Sequence, residues 1–207
     1  MTLYLIRHGE SEGNASGVIQ GRLDFGLTAL GRAQAQATAD RLAGMGVHHI
    51  VTSPLRRAFE TASIIAGGVG RPVAADPDLQ EYDIGAASGL TGPQLRERFP
   101  EIVAEYQKGL LPVFPGEEGR EPFTNRVVAA LDRLLSLDGT VVAVAHGGVV
   151  AAICMHVVGL PKERRGSFEA ANCAITEVTR DRAGRMVLVR HNDTCHLDGI
   201  VTAVDRG

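Results

Sequence analysis

At 207 residues the chain suits one domain. Hydrophobic residues make up 44% and charged residues 22%, as in ordinary soluble proteins, and with aromatics at 4% and no Trp the core falls to Leu, Val, Ile and Ala. The net charge of −3 argues against a general nucleic-acid or polyanion binder, and no apolar run reaches the ~20 residues that span a bilayer.

Residues 2–6 form a short apolar run of β-formers and predict a buried strand. The polar Arg7-His8-Gly9-Glu10 behind it leaves no room for a secretory leader, so a cytoplasmic chain is expected. A polar loop is expected over 8–25. Thr28 is placed to cap a helix over 29–45, with Leu30, Ala33, Ala37, Arg41 and Leu42 facing inward and Gly44 and Gly46 ending it. A short strand at 50–52 leads through Pro54 into a helix reaching about Ala66, and 73–75 reads as an edge strand. Residues 77–119 are irregular and hold most of the prolines, with short helices near 93–99 and 101–108. Long connections of this kind often serve as lids or binding regions. An amphipathic helix is predicted over 122–137, with Val127, Val128, Leu131, Leu134 and Leu135 inward. The run 140–145 is nearly all Val and Ala, as in a central parallel strand buried on both faces. A helix over 149–158 and a hairpin of 174–180 with 186–190 complete the chain. The alternation predicts an α/β fold, a three-layer αβα sandwich around a mostly parallel sheet.

Ligands of open α/β sheets bind beyond the carboxyl ends of the strands. Three such ends deliver Arg7-His8-Gly9, Ser53-Pro54-Leu55-Arg56-Arg57 and Ala145-His146-Gly147-Gly148. Two histidines and two arginine sites thus converge on one edge. Arginine forks match phosphate oxygens and helix N-termini favour anions. A neutral imidazole can attack phosphorus, and a carboxylic acid can protonate the leaving oxygen. Each feature alone reads as structure: a histidine after a strand, solvated arginines on a helix, glycines that ease packing. Their joint arrival carries the chemistry.

Arg7-His8-Gly9-Glu10-Ser11-Glu12-Gly13-Asn14 resembles the defining motif of the histidine phosphatase superfamily, the phosphoglycerate mutase-like group. Gln20-Gly21-Arg22-Leu23-Asp24, Ser53 to Ala58 with Thr61-Ala62, Leu79-Gln80-Glu81 with Gly85, and Val144 to Gly148 are similar to its further motifs, in family order. The resemblance implies one such domain over 1–207, with a lid region over about 86–120. It implies His8 as the phosphorylated nucleophile, Arg7, Arg57 and His146 as holders of the phosphoryl oxygens, and Glu81 as proton donor. Asn14, Gln20, Gly21 and Gly147 would line the substrate side. It implies no metal and no organic cofactor. Gly13 stands where the family often carries an aromatic, and Ala87-Ser88 where it often has Trp-Glu, so the substrate mouth is expected to be wider or differently shaped.

The implied activity is hydrolysis of a small phosphorylated metabolite through a phosphohistidine. The alternatives are a cofactor-dependent phosphoglycerate mutase and a non-catalytic binding module of the same fold. The mutase-type insertion after the acid loop is missing, which favours the phosphatase. Cys154, Cys173 and Cys195 have no zinc or redox spacing, and His191, Asp193, Cys195 and His196 have no second ligand cluster, so no metal is expected. His156 is expected to be packed, and Lys108, Arg120, Arg164 and Arg165 to be solvated. The apolar 110–115 segment is expected to pack on the core. Oligomeric state is left open, a homodimer included.

Overall fold

The computed structural model describes residues 1–161 and 167–200. Its strands are β1 (Thr2–Arg7), β2 (Val47–Thr52), β3 (Val73–Ala75), β4 (Thr140–Ala145), β5 (Ile175–Arg180) and β6 (Met186–Asp193). They form one sheet in the order β3-β2-β4-β1-β5-β6. The pairs β1–β4, β2–β4 and β2–β3 are parallel, while β5 pairs antiparallel with β1 and β6. The mostly parallel sheet is therefore present, with the expected hairpin at one edge. The helices are α1 (Glu12–Ala15), α2 (Ala29–Leu42), α3 (Arg56–Val69), α4 (Gly92–Arg98), α5 (Pro100–Gln107), α6 (Arg120–Ser136) and α7 (Gly147–Val157).

The layers follow from strand alternation. Val141, Ala143 and Ala145 of β4 join Leu3 and Leu5 of β1 in a core with α6 and α7. Val142 and Val144 join Ile6 and Ile50 in a second core with α2 and α3. Because β4 is clothed on both faces, its sequence is continuously apolar. Each fully buried Val or Leu contributes about 1.5–3 kcal/mol of transfer free energy, and β1 and β4, the most heavily buried strands, end in two of the three motifs.

Several local expectations need correction. The 8–25 loop contains α1. Ser11 and Asn14 cap it reciprocally: Asn14 N donates to Ser11 Oγ and Ser11 N to Asn14 Oδ1. Asparagine in place of the usual Glu or Gln hid this box. Helix α2 ends at Leu42 and buries Gly31, Gln34, Ala35, Thr38, Ala39 and Leu42, so of the expected inner face only Leu42 is buried. It packs through small and polar residues: Gln34 Oε1 accepts from Glu10 N at 2.8 Å, and Thr38 Oγ1 donates to the Gln34 carbonyl. A Cβ on Gly31 would collide with the Glu10 carbonyl, and one on Gly9 with the Gly31 carbonyl. The α2 backbone thus presses directly on the segment after β1. Val128 is only partly buried in α6, His156 is exposed rather than packed on α7, and β6 runs to Asp193, beyond the 186–190 expected.

Candidate active site

Parallel register aligns the motif-bearing strand ends. Arg7 pairs with Ala145 and Thr52 with Val144. Just beyond, His8 N donates to the Ala145 carbonyl and Ser53 N to the Val144 carbonyl. Above these ends lies a cleft of about 580 Å³. Arg7, His8, Asn14, Gln20, Gly21, Arg57, Glu81 and Gly147 all line it. His146 lies beneath, fully buried, its ring centroid 5.2 Å from that of His8. Ile19, Ile84 and Phe168 add apolar surface to its lining.

Two neighbours fix the His8 tautomer. Its Nδ1 lies 2.7 Å from the Gly9 carbonyl, which can only accept, so Nδ1 carries the proton. Arg57 Nε, which can only donate, lies 3.2 Å from His8 Nε2. Nε2 is therefore the lone-pair atom at the cleft. Burial holds the His8 pKa well below its ordinary 6.5, and the Arg57 and Arg7 charges lower it further against the Gly9 bond. The ring is neutral at physiological pH, as a nucleophile requires. Arg57 is 1% exposed and also donates to the carbonyls of Leu23 (2.7 Å) and Gly21 (2.8 Å). Burial brings its guanidinium down to about 10, with Glu81 and Asp24 opposing, so it remains a cation at neutral pH. Arg7 Nη1 donates to the Ala170 carbonyl at 2.7 Å.

Burial likewise lowers the His146 pKa well below 6.5, followed by the charges of Arg57, His8 and Arg7. Its Nε2 lies 2.8 Å from Ser53 Oγ, while its buried Nδ1 has no hydrogen-bond partner among the described residues. Glu81 stands at the start of α7: Gly148 N donates to Oε2 at 3.0 Å, and Tyr82 N to Oε1 at 2.8 Å. An imidazole, two guanidinium groups and a carboxyl group at a helix N-terminus thus border one volume. Such a set can bind a phosphate dianion and exchange a proton with its ester oxygen.

Several supporting residues were not anticipated as such. Thr61 Oγ1 accepts from Gly9 N and donates to the Arg57 carbonyl, tying the two motifs together. Asn172 Nδ2 donates to the His8 carbonyl at 2.9 Å, and Cys173 N to the Arg7 carbonyl. Cys173 adopts φ 57°, a conformation that costs energy for a residue with a Cβ and that aims both amides at β1. Motif membership could have flagged Thr61, but nothing local flags Asn172.

The remaining expectations fall out unevenly. A Cβ on Gly13 would meet the Gln20 side chain at 2.5 Å, so Gln20 fills that space rather than leaving it open. Phe114 is buried against Phe99 and Tyr106, within the 86–120 region itself, while Leu110 and Val113 are exposed at 54% and 62%. The 110–115 segment therefore does not pack on the main core as a unit. Arg120 is not simply solvated: it donates to the carbonyls of Leu111 and Pro112. Arg164 and Arg165 lie outside the described residues. His191 packs on Phe168 and bonds Thr176, and His196 contacts Thr38 and the Cys173 carbonyl, so both serve the packing beneath the cleft. Among the described residues no helix is long and apolar enough to cross a membrane.

Comparison with known proteins gives the same family. Residues 3–194 match the model of the histidine phosphatase superfamily, branch 1. A Yersinia enterocolitica protein named "Probable phosphoglycerate mutase GpmB" is 34% identical over 209 residues, covering 96% of this chain and 95% of the relative. A mycobacterial glucosyl-3-phosphoglycerate phosphatase superposes with TM-score 0.84 at 30% identity, over 93% of this chain and 99% of that one. A phosphoserine phosphatase from Entamoeba histolytica superposes with TM-score 0.82 at 29% identity, over 95% and 98%. The chain belongs to the histidine phosphatase superfamily, branch 1.

Proposed function

We propose that the protein hydrolyses a small phosphomonoester through a phosphohistidine at His8, without a metal ion. The observation that carries this is the His8 ring: Nδ1–H is held by the Gly9 carbonyl, so the lone pair is on Nε2, where it accepts from Arg57 Nε at 3.2 Å until a phosphate oxygen takes up that donor. In the first step Nε2 attacks phosphorus. The N–P bond forms as the ester P–O bond breaks, and the leaving oxygen takes a proton from Glu81. In the second step the Glu81 carboxylate takes a proton from water, whose oxygen attacks phosphorus and frees phosphate and His8. Arg7 and Arg57 hold the equatorial oxygens, supplying the charge a metal would otherwise provide, and His146 joins them as a neutral hydrogen-bonding group. Asn14, Gln20, Gly21 and Gly147 border the same volume. The chain acts as a single domain, residues 1–207, with 86–120 as its lid, on a small phosphorylated metabolite in the cytoplasm.

A second reading, phosphoglycerate mutase, is favoured by the name of the Yersinia enterocolitica relative. Purified protein is assayed for phosphate release from a panel of sugar, glycerate, amino-acid and aryl phosphates, with and without EDTA. Release that survives EDTA and vanishes in His8→Ala supports hydrolysis. Interconversion of 2- and 3-phosphoglycerate without net phosphate release supports the mutase. Neither activity from folded protein leaves the binding-module alternative.

A further inference from the structure

Arg126 belongs to α6, outside every motif that faces the cleft, and its side chain is 15% exposed. Its guanidinium is saturated. Nη1 donates to the carbonyls of Asp78 (2.7 Å) and Gln80 (2.6 Å), and Nη2 to the carbonyl of Glu81 (2.9 Å). Nε and Nη2 also reach both oxygens of Glu118, at 3.1 and 2.7 Å, and the group rests 4.8 Å over the Phe123 ring. Glu118 in turn accepts from Arg22 Nη2 (2.6 Å) and Asp83 N (3.1 Å). Arg22 sits between Gly21 and Leu23, whose carbonyls hold Arg57, and its Nε reaches the Glu81 carbonyl at 3.3 Å. One arginine–carboxylate unit therefore braces the segment carrying Glu81 and links it to the segment that seats Arg57.

We propose that Arg126 is the positioning residue of the general acid. By gathering the carbonyls of Asp78, Gln80 and Glu81 on one planar cation, it sets where the Glu81 carboxylate stands relative to the leaving oxygen. Three carbonyls turned to one side of a short segment would otherwise repel one another or seek water. Glu81 is then held from behind by Arg126 and in front by Gly148 N and Tyr82 N. Lysine, a compact ammonium with three donors, cannot span the same acceptors. The proposal rests on Glu81 being the proton donor, and its test separates the two claims.

The test measures kcat and KM for an alkyl phosphate (glycerol phosphate) and an aryl phosphate with a good leaving group (p-nitrophenyl phosphate). The variants are Arg126→Met, Arg126→Lys, Glu118→Gln and Glu81→Gln. Misplacing a reacting group by about 1 Å costs on the order of 100-fold. Arg126→Met and Arg126→Lys should therefore lose roughly 10- to 100-fold in kcat on the alkyl ester and only a few-fold on the aryl ester. Inhibition by inorganic phosphate should stay within about twofold of wild type in the Arg126 variants, because Arg57 keeps its own bonds to the Gly21 and Leu23 carbonyls. Lys keeps the charge, and Glu118→Gln disturbs the brace from its other end, so the result is readable even if the Met variant unfolds. Leaving-group selectivity in Glu81→Gln with uniform loss, or none, in the folded Arg126 and Glu118 variants overturns the proposal alone. A flat response in Glu81→Gln removes the general-acid assignment, and the proposal with it.

Discussion

Arg57→Gln separates what the buried arginine does for catalysis from what it does for the fold. In the native protein burial lowers the guanidinium to about 10, which is about 3 kcal/mol against the charged form. Against that stand its bonds to the carbonyls of Gly21 and Leu23 and to His8 Nε2. Bonds from a charged donor contribute about 1.5–3 kcal/mol each, and a glutamine amide preserves one of the three at neutral strength. The bonds lost outweigh the burial penalty relieved by at most a few kcal/mol, so Tm should fall by no more than about 10 °C. Activity should not survive: loss of a preorganised donor to the transferring group costs about 3–4 kcal/mol, on the order of 10²- to 10³-fold in kcat/KM. The pH profile gives a third reading. The Arg57 charge disfavours protonated His8, so its removal raises the His8 pKa and moves the acid limb of kcat/KM upward, toward 6.5. Differential scanning fluorimetry and steady-state kinetics over pH measure all three. A fall in Tm beyond about 10 °C, or kcat/KM within tenfold of wild type, would refute the reasoning.

Gly148→Ala places a Cβ on Glu81 Oε1, the tip of a side chain that can swing away. The carboxylate then leaves Gly148 N, so turnover of alkyl phosphates should fall at least about tenfold while aryl phosphates are spared. The helix itself gains about 0.5–1 kcal/mol from alanine, so a collapse in Tm would contradict this local account. Stability should also depend on pH through the buried histidines. His8 and His146 have pKa values well below 6.5, and His191 and His196 are lowered by burial too. A depressed histidine binds fewer protons when folded, so its contribution is full above about 6.5 and is lost as pH falls toward the folded value. Tm should decline between about pH 6.5 and 5, more shallowly in His8→Asn/His146→Asn. A flat wild-type curve, or an unchanged slope in the double variant, would show that these rings do not titrate with unfolding.

The sheet and most of the cleft were legible because their signals are local. The Val–Ala run of β4 can only be a strand clothed on both faces, and the motifs at the ends of β1, β2 and β4 must then meet. Helix α2 misled because its inner face is built from Gly31, Gln34 and Thr38, whose polar groups are satisfied by residues distant in sequence. Apolar periodicity sees no such partners. The supports of the site were hidden for the same reason. Asn172 bonds a carbonyl 164 positions away, and Arg126 looks like any arginine on a helix until the 78–81 segment folds onto it. Glu118, just ahead of α6, is the counter-ion of two arginines.

Covalent chemistry at His8 is tested most directly by trapping it. Enzyme mixed with excess p-nitrophenyl phosphate is quenched within the first turnover in alkali, where phosphohistidine persists, and its peptides are examined by tandem mass spectrometry. A phosphoryl group on His8 Nε2, with a matching burst of p-nitrophenol, is the predicted result. Steady hydrolysis with no burst and no label on His8, or a label on another residue, would contradict it.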